Sequence, residues 1–113
     1  MLNNETKSKV NLRALKVLAS ETRLTILEWL KDPMAHFPPQ VDGDLIQDGV
    51  CADFIREKLG ITAATASRHL TLLTEAGLLN ATRKKGWTFS RRDEQAIQNC
   101  FHRLQSHLLK EMP

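Results

Sequence analysis

The stretch TAATASRHL, from Thr62 to Leu70, decides how the rest of the chain is read. Thr62 is a good helix N-cap, and no breaker follows it before Ala76 and the left-handed helix-ending residue Gly77. Ala66, Leu70 and Leu73 recur at helical spacing and define the side that packs. Ala63, Ala64, Thr65, Ser67 and Arg68 define the opposite side, small and hydroxylated around one cation. A helix that only filled a core would carry a wider apolar stripe. This face is therefore expected to meet something other than its own domain.

The flanks give the stretch its setting. CADFIREKLG, residues 51–60, reads as a helix with Phe54, Ile55 and Leu59 facing inward, and Ile61-Thr62 is a tight joint. Downstream lies LLNATRKKGWTFSRR, residues 78–92. Leu79 and Ala81 alternate with Asn80 and Thr82, and Trp87 and Phe89 with Thr88 and Ser90. That period of two predicts a two-stranded antiparallel hairpin closed at Lys84-Lys85-Gly86. Two helices on a short joint followed by a basic hairpin are a helix-turn-helix with a wing.

The ends complete the order. Residues 1–7 are polar and read as a frayed end. From Ser8 to Ala19 the residues Val10, Leu12, Leu15 and Leu18 repeat near helical spacing. Ser20 caps a second, largely buried helix through Leu24, Ile26, Leu27, Trp29 and Leu30, which Asp32-Pro33 ends. Residues 32–50 hold three of the four prolines and two of the five glycines, and read as one long loop. Asp93 caps a last helix over 93–111 with the stripe Ile97, Phe101, Leu104 and Leu108. The expected fold is α+β, mainly α: one winged helix-turn-helix domain over 1–113, with about five helices. Residues 51–76 form its helix-turn-helix and 79–91 its wing.

The chain has 113 residues, 42% of them hydrophobic and 26% charged, which suits one soluble domain. No run approaches the roughly 18 apolar residues of a membrane span, and no signal-peptide pattern leads the chain. Cytoplasm is the expected compartment, with no membrane partner. The net charge of +3 is unevenly placed. Residues 32–60 carry Asp32, Asp42, Asp44, Asp48, Asp53 and Glu57 against Arg56 and Lys58. Residues 61–92 carry Arg68, Arg83, Lys84, Lys85, Arg91 and Arg92 against Glu75 alone. Such a basic segment fits either a polyanion partner or a solvated face.

Groove geometry favours the polyanion. The DNA major groove is about 12 Å wide and admits a helix about 10–12 Å across. Such a helix needs small side chains where it approaches base edges and donors where it passes phosphates. Ala63, Ala64, Thr65, Ser67 and Arg68 supply both, and Arg68 has the fork that pairs with guanine. Arg83, Lys84 and Lys85 on the wing would add affinity with little sequence information. Arg91 and Arg92 can meet phosphate or pair with acidic neighbours. No phosphate loop, nucleophile elbow or paired His and acid points to an enzyme.

LKVLASETRLTILEWL, CADFIREKLGITAATASRHLTLLTEAGLL and RKKGWTFS together resemble the ArsR/SmtB-type winged-helix repressors over about residues 10–100. The resemblance implies a homodimer built on the first and last helices, so that 93–111 is its dimerisation helix. It implies binding to a palindromic double-stranded DNA operator, and release when a metal, metalloid or redox signal is sensed. The DNA-reading positions it matches are Thr62, Ala63, Ala64, Ser67 and Arg68. His69 also fits the motif, in a position that more often braces the helix.

The sensor positions depart from that family. Cys51-Ala52-Asp53 stands where a Cys-x-Cys is expected, and Cys100-Phe101-His102 stands where an Asp-x-His is expected. His107 is followed by Glu111, one position late for His-x-x-Glu. Cys100, His107 and Glu111 still fall within ~40° on a helical wheel and could hold Zn²⁺ or a similar ion across a dimer seam. They spread over about 16 Å, too far for one helix to close a tetrahedral site. His102 points elsewhere. Cys51, with His36 and the loop acids Asp42, Asp44 and Asp48, is a second candidate sensor. Two thiols are too few for a disulfide framework. A winged-helix protein-interaction module and a constitutive DNA-binding repressor remain the alternatives.

Overall fold

The computed structural model describes residues 9–110. Helix α1 is Leu12–Leu18, α2 is Glu21–Lys31 and α3 is the single turn Pro33–His36. Strand β1, Val50–Cys51, leads into α4, Ala52–Leu59, and α5, Ala63–Glu75. Strands β2, Leu79–Lys84, and β3, Trp87–Arg92, form the hairpin, and α6, Glu94–Leu108, closes the chain. Among the described residues no helix is long and apolar enough to cross a membrane.

Capping side chains set most helix starts. Asn11, Ser20, Thr62 and Asp93 each accept a hydrogen bond from the backbone N–H three residues on, satisfying a donor that would otherwise be orphaned. Periodicity beginning at Ser8 suggested an earlier start for α1. The Asn11 side chain, bonded to the Ala14 N–H at 3.0 Å, places it at Leu12.

The core is built from one face of each helix. Ala14 and Val17 of α1 meet Ile26, Leu27 and Leu30 of α2, Ile55 of α4, and Leu70 and Leu73 of α5. Leu78 and Leu79, both fully buried, continue this core from α5 into the hairpin. Burying side chains of this size contributes about 1.5–3 kcal/mol each. It holds α5 by Ala66, Leu70 and Leu73, so its other side faces outward.

Two features differ from the sequence reading. The 32–50 segment is not a plain loop, because it carries α3 and ends in a strand. β1 pairs antiparallel with β3, Val50 opposite Ser90 and Cys51 opposite Phe89, giving a three-stranded sheet in the order β1-β3-β2. A two-residue strand is too short to show a period of two, so it left no pattern to read. It also explains why Phe89 and Ser90 are both buried despite alternating, since β3 is the central strand and is covered on both faces. Gly49 makes the joint possible: a Cβ there would lie 2.2 Å from the Ser90 carbonyl oxygen, and its φ is +107°.

The hairpin closes through the two residues Lys85 and Gly86, between the facing residues Lys84 and Trp87. Both have positive φ, 50° and 81°, as a type I′ turn requires.

Candidate nucleic-acid interface

Helix α5 presents two distinct sides. Thr62, Ala63, Ala64, Thr65, Ser67 and Arg68 are all exposed, whereas Ala66 and Leu70 are buried. The helix start is tied by the Thr62 hydroxyl, which accepts from the Thr65 N–H and donates to the Thr65 hydroxyl at 2.9 Å. Arg68 makes no ion pair among the described residues.

His69 is half-buried and turned to the body. The Arg23 guanidinium donates to its Nδ1 at 3.1 Å, and Arg23 also donates to the Val17 carbonyl at 2.6 Å. Arginine has no acceptor, so Nδ1 must carry the lone pair and Nε2 the proton. Burial, and then the neighbouring Arg23 and Arg68 charges, push the His69 pKa below its ordinary 6.5. The imidazole thus braces α5 against α2 in its neutral form.

The wing lies across a cleft of about 370 Å³ from α5, lined by Ser67, Thr71, Arg83 and Thr88 among others. Its cations are partly committed. The Lys84 ammonium reaches the Asp48 carboxylate at 3.0 Å, and Lys85 reaches Asp42 at 3.6 Å. Arg83 donates to the Thr88 hydroxyl at 3.3 Å and stays exposed. Arg91 is exposed, while Arg92 is clamped by Glu94 at 2.7 and 2.9 Å and by the Leu27 carbonyl at 3.1 Å. Of that pair, Arg92 belongs to the fold.

The acidic loop is an ordered partner of the wing. Asp44 folds the 44–48 turn by accepting from the Ile46 and Gln47 N–H groups, both at 2.8 Å. Asp48 accepts from the Asp44 N–H at 2.8 Å in addition to Lys84. These two bonds, the backbone one foremost, hold the Asp48 pKa below its ordinary 3.8 against the opposing effect of burial. Gln40 ties the loop to β1, donating to the Gly49 carbonyl at 2.9 Å and accepting from the Cys51 N–H at 2.6 Å.

The candidate sensor residues are not gathered. Cys51 is buried at the end of β1, and Cys100 is buried among Leu15, Leu18, Leu27, Ile97 and Leu104. His102 and His107 are exposed on α6, and Glu111 lies outside the described residues. Among the described residues no group of three or more His, Cys, Asp or Glu could hold a metal ion. A Zn²⁺ site within one chain does not fit these side chains: apolar neighbours surround the Cys100 thiol where further donors would be needed.

No protein-family model matches the chain. It is 45% identical over 86 residues to YbzH, an HTH-type transcriptional regulator of Bacillus subtilis (strain 168), across 76% of this chain and 86% of that one. A possible transcriptional regulatory protein of Mycobacterium bovis (fragment 1–100) superposes with a TM-score of 0.58 at 25% identity, over 85% of this chain and 87% of its own. The solution structure of Mb0332 from the same organism, a homodimeric winged helix-turn-helix DNA-binding domain of a possible ArsR-family regulator, gives 0.57 at 23%, over 90% and 83%. This chain belongs to the HTH-type transcriptional regulators, and its winged helix-turn-helix fold is that of these solved structures.

The regulator is not an enzyme. Three parts of its site escape a reading of the sequence. Arg23, the brace for His69, sits 46 residues away in the chain. The pairing of Asp42 and Asp48 with the wing lysines was hinted at only by the opposite charge of the two segments. The close approach at Gly49 left no local signature beyond the glycine itself.

Proposed function

We propose that the regulator is a cytoplasmic, homodimeric repressor that reads an inverted-repeat operator through Thr62–Arg68 and steadies itself on the backbone through the 83–86 wing. One observation carries this reading: the positions expected at the bases are exposed on α5, while the helix is anchored by Ala66, Leu70 and Leu73. Arg68, paired with no carboxylate among the described residues, is available for a guanine edge.

The dimer is supported by apolar surface that one chain leaves open. Leu12 of α1 is 65% exposed, and Phe101 and Leu108 of α6 are 58% and 71% exposed. Phe101 also lines a small groove with Leu15 and Leu18 of α1 and Ile97 and Leu104 of α6. The Mycobacterium bovis domain of similar fold is homodimeric. Operator half-sites would then lie about one DNA turn apart, or a multiple of it.

Selection of bound duplexes from a random library tests the reading. Enrichment of an inverted repeat with that spacing, by a protein that sediments as a dimer, is expected. Equal retention of all sequences would overturn it. A second reading, a repressor that senses no metal, is favoured by the scattered donors on α6 and the apolar seat of Cys100. DNA binding indifferent to Zn²⁺, arsenite and oxidant would support it.

A further inference from the structure

A cavity of about 270 Å³ opens between the 40–42 segment, the start of α4 and the wing. Its aromatic walls are Phe54, Trp87 and Phe89, and its carboxylates are Asp42, Asp53 and Glu57. Cys51 also lines it. That thiol belongs to a residue only 8% exposed, and it makes no hydrogen bond among the described residues.

The charges around this cavity do not balance. Asp53 and Glu57 share Arg56, at 3.5 and 3.6 Å, and Asp42 has Lys85 at 3.6 Å. Three carboxylates thus face two cations, all in long, partly exposed pairs that hold weakly. An anion is disfavoured there. A metal ion is disfavoured as well, because the acids and the thiol line a space without converging as a donor set. A cation whose charge is spread over methyl or methylene groups suits both features, since aromatic faces attract it and it needs no tight ligand shell.

We propose that this cavity is an effector site for a small organic cation of the quaternary ammonium class, held by Trp87 and Phe54 with Asp42, Asp53 and Glu57. The volume limits the ligand to about one ring or a few branched carbons.

Asp42 links the site to the wing. A bound cation takes over Asp42 and releases Lys85. DNA phosphate, competing for Lys85, releases Asp42 towards the cavity. Both ligands favour the same unpaired state, so by linkage each strengthens the other. The cation is therefore a co-repressor. Because the pair it breaks is weak, DNA affinity rises only about two- to fivefold.

Choline, and its neutral isostere 3,3-dimethylbutan-1-ol, test the site by heteronuclear NMR on the full chain. Choline is expected to shift the Trp87 indole N–H and the amides of residues 42 and 53–57, and to bind about tenfold tighter than the isostere. Trp87→Leu, at an exposed position, should abolish the remaining shifts while the melting transition stays cooperative. Equal response to both compounds, shifts at another place, or none would overturn the site, whatever the DNA experiments give. At matched ionic strength, choline should raise affinity for duplex DNA in the native chain and leave Lys85→Ala unchanged. A fall, or an equal rise in Lys85→Ala, would overturn the coupling.

Discussion

Arg68 on α5 is exposed and makes no ion pair among the described residues, whereas Lys84 and Lys85 at the wing tip each face a carboxylate of the 42–48 loop. Both elements are basic and both reach solvent, yet their charge is available to different degrees. The helix face was kept small and left uncommitted. The wing must exchange an internal partner for any external one. For the proposed reading of DNA, specificity then resides in α5, and the wing adds an affinity that its own domain partly cancels.

The widest break in this comparison comes from Gly49, which feeds the acidic loop into the sheet. Gly49→Ala should cost about 2–4 kcal/mol of stability, since the new Cβ meets the Ser90 backbone at a positive φ. Thermal melting measures it, and an unchanged transition would mean that the β1–β3 joint is slack. Arg68→Ala should come next, losing about 1–3 kcal/mol on a selected operator with little change on random DNA. Equal losses on both would make Arg68 a phosphate contact like the wing.

Asp42→Asn sharpens the wing side. Freeing Lys85 should raise affinity for any duplex, and steepen the log–log salt dependence by up to about one unit. Anisotropy titrations across a salt series decide it, and a flat or shallower slope would remove Lys85 from the phosphate contacts. The smallest expected effect is the pH response of the His69 brace. Its pKa is lowered in the folded state, so the unfolded chain binds more protons. The contribution is fully present above 6.5, and it is lost as pH falls from there through the lowered folded value. Melting curves between about pH 7.5 and 5 should show a dip in the native chain that His69→Ala lacks.

Local chemistry made most of the scaffold readable. Ser20, Thr62 and Asp93 announce their helices because an N-cap is a short-range device, and Lys85-Gly86 announces its turn for the same reason. The two-sidedness of α5 was legible because burial of Ala66, Leu70 and Leu73 follows directly from helical period. What escaped depends on distant partners. Val50 and Cys51 become a strand only because β3 passes beside them, and Arg23 becomes a brace only when α2 and α5 pack. The acidic segment read as one long loop without a partner named for it, because charge counts along a chain do not say which charges meet.

The claim that the exposed face of α5 reads bases is tested most directly by removing one atom from the DNA. Replacing operator guanines by 7-deazaguanine deletes the N7 acceptor that an arginine fork would use, and the affinity loss can be compared between the native chain and Arg68→Ala. A loss at one half-site guanine that disappears in Arg68→Ala is the predicted result. Equal losses in both proteins at every guanine would contradict the account.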